Sequence, residues 1–154
     1  MNPAIELLIV TGAPGAGKTT LARILSRNPG FRRWPSLTTR APRHGEVPGE
    51  DYHFVTTDEF KAIADAGGLL EVVCGPQGHW YGLPQLPEPD GPILVAIVDE
   101  AAAQRVADCA GRPALVLCVQ APPTECALRM TSRGDSSAAV ASRLAWADRP
   151  TRLE

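Results

Sequence analysis

The chain is predicted to be an α/β protein, a three-layer fold with a parallel sheet between helices. Three observations predict it. Short, almost continuous apolar runs occur at residues 4–10 (AIELLIV), 93–98 (ILVAIV) and 114–119 (ALVLCV), each bounded by turn residues. Runs of this length suit strands buried on both faces, as parallel sheets require. Segments with helical spacing of apolar residues alternate with them, so each strand is returned by a crossover helix. The first run also opens directly into a glycine-rich turn, TGAPGAGKTT.

The order of elements follows from local signals. After the glycine-rich turn, Leu21, Ala22, Ile24 and Leu25 mark a helix that ends near Asn28-Pro29-Gly30. Thr56 and Glu59 have the spacing of a capping box and start a helix over about 57–66, with Gly67 as its stop. A strand is expected at 69–73. Residues 83–92 (LPQLPEPDGP) carry four prolines and should lack regular structure. Helices follow at about 99–110, 123–130 and 136–147, with a polar hinge over 131–135. There is no internal repeat.

The bulk composition bounds the function. A chain of 154 residues is large enough for one domain with a core. Its 44% hydrophobic and 21% charged content is that of a globular protein, and a formal charge of −2 excludes nucleic-acid binding by bulk electrostatics. The first apolar run is too short for a membrane span and lacks the basic start of a signal peptide. Cys74, Cys109, Cys118 and Cys126 form no CxxC pair; Cys118, inside an apolar run, is expected to be a buried thiol. Neither disulfides nor structural zinc are expected, and a cytoplasmic location follows.

Gly12-Ala13-Pro14-Gly15-Ala16-Gly17-Lys18-Thr19 fits G-x-x-x-x-G-K-[ST]. Glycines let backbone N–H groups surround phosphate oxygens, and the following helix adds a partly positive N-terminus. Lys18 can reach the β- and γ-phosphates, the Thr19 hydroxyl can ligate Mg²⁺, and Thr20 continues the loop into the helix. At ordinary glycine frequency such a match arises in roughly one chain of this length in a few hundred. Here it also lies between a predicted strand and a predicted helix, so the motif predicts nucleoside triphosphate binding.

Residues 38–54, TTRAPRHGEVPGEDYHF, read either as a solvated, charge-dense loop or as a second, anion-binding surface. Arg40 and Arg43 flank Pro42, and their planar forks suit a phosphate; Tyr52 adds a neutral donor. His44, Glu46 and His53 are expected to form a solvated frame around them. His79 has no ligand spacing, and Trp34, Trp80 and Trp146 are expected to be packing groups, with Trp80 beside Tyr81 as a possible wall of the acceptor pocket.

Taken together, Ser36, TTRAPR, GEVPGEDYHFVTTDEF, Glu71 and the WYG at 80–82 resemble guanylate kinase, the ATP-dependent kinase of GMP. The resemblance runs from about Ile5 to Leu144. It implies a P-loop NTPase-type three-layer parallel sheet in a single domain over residues 1–154. Its core would be 1–33 and 84–154, with an inserted GMP-binding region at about 34–83 and a lid at about 131–137. It also implies that Arg40, Arg43, Tyr52 and Tyr81 hold the GMP phosphate, that Ser36, Glu71 and Asp99 form the guanine pocket, and that Arg129, Arg133 and Arg143 close over the ATP phosphates. Lys18, Arg40 and those three arginines would be catalytic, with ATP and Mg²⁺ as cofactors and GMP or dGMP as the acceptor. Neither nucleic acid nor membrane is an expected partner.

The sequence departs from the family pattern in four places. Leu83 replaces the Ser or Thr that donates a hydroxyl to guanine O6. Ile97-Val98-Asp99 replaces D-I-D, so the first acid is absent. The proline-rich stretch replaces a helix after Tyr81-Gly82. The sequence ends at Glu154, and a trimmed or specialised relative, or a truncated reading frame, is the expectation. Two other functions compete: a kinase of another acceptor, such as a modified purine monophosphate or ribose 1,5-bisphosphate, and a non-catalytic nucleotide- or peptide-binding module.

Overall fold

The computed structural model describes residues 4–148. In chain order the elements are β1 (Leu7–Thr11), α1 (Lys18–Leu25), β2 (Phe31–Arg33), β3 (Leu37–Thr38), β4 (His53–Phe54), α2 (Thr57–Asp65), β5 (Leu69–Cys74), β6 (Trp80–Pro84), β7 (Ile93–Ile97), α3 (Glu100–Cys109), β8 (Ala114–Cys118), α4 (Pro123–Ser132) and α5 (Ser137–Ala147). A single 3₁₀ turn, Pro76–Gly78, joins β5 to β6.

Two sheets organise these elements. The first is parallel, with strand order β2-β7-β1-β8. The apolar run of β1 is buried along its whole length because both of its edges are paired and both of its faces are covered. On one face Leu7, Ile9, Leu94 and Ala96 pack with Ala102, Ala103 and Val106 of α3, joined by Trp34 and Leu83. On the other, Leu8, Val10 and Val95 pack with Ala22, Leu21 and Leu25 of α1. Each fully buried aliphatic side chain contributes about 1.5–3 kcal/mol. The predicted three layers are therefore present.

The second sheet has the order β4-β3-β6-β5; β3 pairs with β4 in parallel and with β6 antiparallel, and β5 pairs with β6 antiparallel. Its register matters for function. Glu71 lies opposite Leu83, and Val73 opposite Tyr81. Directly opposed residues point to the same face, so these four side chains share one wall. Trp80 stands on the alternate face, where its ring lies 6.2 Å from that of Phe60 on α2. The expectation that Trp80 walls the acceptor pocket is therefore corrected: strand alternation turns it away. Trp34 is core, as expected.

Helix starts follow the local chemistry. The Thr56–Glu59 capping box is complete, with the Thr56 side chain accepting from the Glu59 N–H and the Glu59 carboxylate accepting from Thr56. Asp99 and Ser136 cap α3 and α5 by the first of these bonds alone, accepting from the Ala102 and Ala139 N–H groups. Residues 85–92 carry no helix or strand, although Leu83 and Pro84 still belong to β6.

One expectation about burial fails. Cys118 is exposed, with Leu115, Val116 and Leu117 beside it. Among the described residues its apolar run forms an edge strand rather than an interior one, paired to β1 on one side only. Among the described residues no helix is long and apolar enough to cross a membrane.

A contrast of two substitutions tests this core. Ile9 is fully buried on the central strand, so Ile9→Ala should lower the unfolding free energy by about 2–5 kcal/mol. Leu128 is 64% exposed on α4, so Leu128→Ala should stay within about 0.5 kcal/mol. Urea unfolding of the two variants checks the assignment.

Candidate active site

A cavity of about 730 Å³ opens between the two sheets. At one end lie Gly12, Ala13, Pro14 and Lys18 from the loop between β1 and α1. The loop can only take its path with glycine. Gly12 has φ +134°, and a Cβ there would stand 2.1 Å from the Val119 carbonyl oxygen; at Gly15 it would stand 2.6 Å from that of Cys126. The loop is thus wedged between β8 and α4. Gly17 precedes α1 in a left-handed conformation with no side-chain cap, so the first turn of α1 keeps its amide donors for a ligand. Thr19 is half-buried in that turn, and Thr20 is exposed.

Lys18 folds back over the loop and donates to the carbonyl oxygens of Gly12 (2.7 Å) and Ala13 (2.8 Å). Its pKa is lowered to about 8, first by burial and then by the positive charge of Arg143. Arg129, from the last turn of α4, donates to the carbonyls of Gly15 (3.3 Å) and Ala16 (3.2 Å) and pairs with Glu125.

Arg133 and Arg143 meet on one carboxylate. Asp135 Oδ2 accepts from Arg143 Nη1 at 2.8 Å and from Arg133 Nη2 at 3.2 Å, while Arg43 Nε stands 3.8 Å from Oδ1. Arg143 lines the cavity, and its pKa is lowered by burial and by Arg43. Asp135, between α4 and α5, therefore gathers Arg133 beside it, Arg143 of α5 and the Arg43 loop to one place. Trp146 of α5 also lines the cavity, beyond the packing role expected of it.

The cavity is also lined by Ser36, Arg43, Tyr52 and Tyr81. Tyr52 and Tyr81 pack edge to face at 6.1 Å. Burial raises the Tyr52 pKa, so its phenol remains a donor at neutral pH. Arg40 lies behind them, 5.3 Å from the Tyr52 ring centroid and only 7% exposed. Both of its terminal nitrogens donate to Glu46, each at 2.9 Å. Burial lowers the Arg40 pKa, but the Glu46 hydrogen bonds and charge outweigh it and the net shift is upward.

The expectation of a solvated Glu46 is therefore corrected. It is tucked under the loop, where it also accepts from the Arg43 N–H at 2.7 Å. A buried guanidinium needs a paired carboxylate, and Glu46 is within reach. His44 and His53 are exposed as expected.

Sequence reasoning missed Asp51. It is 3% exposed and accepts from Arg23 Nη2 (2.5 Å), Arg23 Nε (3.2 Å) and the Val47 N–H (2.9 Å). Arg23 sits on α1, so this pair ties the arginine loop to the helix that starts at the phosphate loop. Asp51 stands inside the matched G-x-D-Y signature, which was the available signal; Arg23 carried none.

Glu71, Leu83, Ile97 and Asp99 also line the cavity, and Ile97, paired with Val10, brings Asp99 up beside the start of the phosphate loop. Glu71 accepts from Arg105 on α3 at 2.5 Å. Asp99 has a structural duty as well, since its Oδ1 accepts from the Ala102 N–H at 2.8 Å. Of the predicted residues, Arg40, Arg129, Arg133, Gly15, Ala16, Gly17, Thr19 and Thr20 do not line the cavity, although each lies on an element that does or packs against one. No group of three or more His, Cys, Asp or Glu side chains suited to a metal ion occurs among the described residues.

Comparison with known proteins gives a consistent result. The family model described as guanylate kinase matches residues 4–145. The guanylate kinase of Thermosynechococcus vestitus is 38% identical over 149 residues, covering 93% of this chain and 78% of its own. That of Sphingopyxis alaskensis is 38% identical over 155 residues, covering 96% and 70%. The guanylate kinase structure from Anaplasma phagocytophilum shares the fold with a TM-score of 0.64 at 22% identity, over 86% of this chain and 70% of that one. With a phosphate loop and a carboxylate lining one cavity and this extent of sequence match, the chain belongs to the guanylate kinase family.

Proposed function

We propose that the protein transfers the γ-phosphoryl group of ATP to GMP or dGMP, giving ADP and GDP or dGDP. One observation carries the reading: a single cavity is lined by the phosphate loop, by Arg43, Tyr52 and Tyr81, and by Glu71. These three sets of groups suit a donor phosphate chain, an acceptor phosphate and a base held in one cavity. The proposed division is a core at 1–33 and 84–154, an acceptor region at about 34–83 and a lid at about 131–137.

In this reading the loop amides and Lys18 hold the β- and γ-phosphates. Arg43, Tyr52 and Tyr81 hold the acceptor phosphate, and Arg40 supports them from behind while keeping Glu46 in place. Ser36 and Asp99 complete the acceptor pocket. A monophosphate oxygen is already ionised, so no general base is needed. Catalysis is alignment plus neutralisation of charge on the transferring group by Lys18, Arg129, Arg133 and Arg143. Those arginines must exchange Asp135 and the loop carbonyls for phosphate oxygens. Mg²⁺ suits the half-buried Thr19 hydroxyl, a hard oxygen donor beside Lys18, with the nucleotide supplying its other ligands. When bound it would neutralise charge on the β- and γ-phosphates.

Guanine would be recognised through Glu71. Its carboxylate accepts from N1–H and the 2-amino group, whereas adenine presents a lone pair at N1. Leu83, on the same wall, offers no donor to O6, and an unpaired carbonyl costs about 1–3 kcal/mol. This favours a second reading, in which the acceptor is another purine monophosphate lacking that demand. The proposed setting is the cytoplasm, with small-molecule nucleotides as partners.

An ADP-release assay with Mg-ATP against GMP, dGMP, AMP and ribose 1,5-bisphosphate should show turnover with GMP and dGMP. Lys18→Ala should abolish it. GMP binding without turnover of any acceptor would point instead to a non-catalytic module.

Leu83→Ser should lower the GMP KM roughly tenfold to a hundredfold by restoring the O6 donor. Leu83 also packs in the core cluster, so the same variant should unfold at lower urea.

Lys18 gives a pH signature. With its pKa near 8 in the free enzyme, about half of the side chains are neutral at that pH. Phosphate contact favours the charged form, so ATP binding should take up about half a proton at pH 8 and almost none at pH 6.5. Affinity should fall as pH rises above 8. Calorimetry in two buffers of different ionisation enthalpy measures the uptake, and Lys18→Ala should remove it.

A further inference from the structure

Glu71 is not alone in the cavity wall. Its Oε1 is held by Nη2 of Arg105 at 2.5 Å. Arg105 comes from α3, one turn beyond Ala101 and Ala102, which line the cavity. Side chains on a helix lean toward its N-terminus, so the guanidinium is carried back toward the cavity end of α3. There it meets a carboxylate projected from β5 of the other sheet.

Stability does not account for this pair. The Arg105 side chain is 53% exposed, and ion pairs of that kind contribute little to folding. Its consequence lies in orientation. The terminal torsion of a glutamate is broad, yet reading N1–H and a 2-amino group together requires both oxygens in the plane of the base. Leu83 opposite and Val73 two residues along are apolar and cannot fix that plane. Arg105 can. A carboxylate has about four acceptor positions, so one guanidinium bond leaves room for both purine donors.

We infer that Arg105 is a positioning residue for base recognition, setting the plane of the Glu71 carboxylate from outside the cavity. The inference rests on Glu71 being the acceptor of the guanine donors. Arg105 touches neither the phosphates nor the transferring group, so its influence falls on binding of the base and not on the chemical step.

The test is a double-mutant cycle read by steady-state kinetics. Arg105→Ala should raise the GMP KM roughly tenfold, with kcat and the ATP KM unchanged, and Arg105→Lys should recover part of the loss because a point charge holds one oxygen without the fork. Glu71→Gln should raise the GMP KM on its own. In that background Arg105→Ala should add nothing, since there is no longer a carboxylate to orient. An unchanged GMP KM in Arg105→Ala, or an equal rise with and without Glu71, would overturn the role of Arg105 alone. An unchanged KM in Glu71→Gln would remove the base reading and this inference together. Urea midpoints of the variants separate any loss of folding from loss of binding.

Discussion

Positive charge held away from bulk water is the constraint around which this molecule is arranged. Lys18, Arg40, Arg43 and Arg143 crowd one cavity or its wall, and each must be neutralised or hydrogen-bonded for the fold to tolerate it. Internal acceptors meet the need. Lys18 takes two loop carbonyls, Arg40 takes Glu46, and Arg143 takes Asp135. The acceptors differ in permanence. Glu46 is bidentate and also bound to the Arg43 backbone, so Arg40 is locked. Asp135 is shared among cations from three segments, an arrangement that an arriving phosphate can take over one arginine at a time.

The scaffold makes that convergence possible by bringing loops from two sheets to the same opening. The parallel sheet supplies the phosphate loop and the capped start of α3. The second sheet supplies the aromatic pair and the wall of Glu71 and Leu83. The Arg23–Asp51 pair, which joins α1 to the arginine loop, couples the two.

What was legible in the sequence was local. The phosphate loop declares itself because strand, glycines and helix are contiguous, and the Thr56 capping box because its partners are three residues apart. The strands β2, β3 and β4 left no trace, being two or three residues long with no periodicity to detect. Pairings distant in sequence were equally silent: Arg23 with Asp51, and Arg105 with Glu71. Glu46 was misjudged because charge density in a loop suggests solvent, whereas here it marks a buried pair. Cys118 was misjudged for the opposite reason, since an apolar run indicates a strand without saying whether that strand is central or outermost.

That outermost position has a material consequence. Along β8 the backbone amides and carbonyls on the side away from β1 meet no strand among the described residues, and Leu115, Val116 and Leu117 stand beside them partly in water. No charged residue or proline interrupts the run from Ala114 to Cys118. Such a border is a template on which another extended segment can grow. Pairing of a second extended segment along this edge would engage five residues, one of which, Cys118, also lines the cavity.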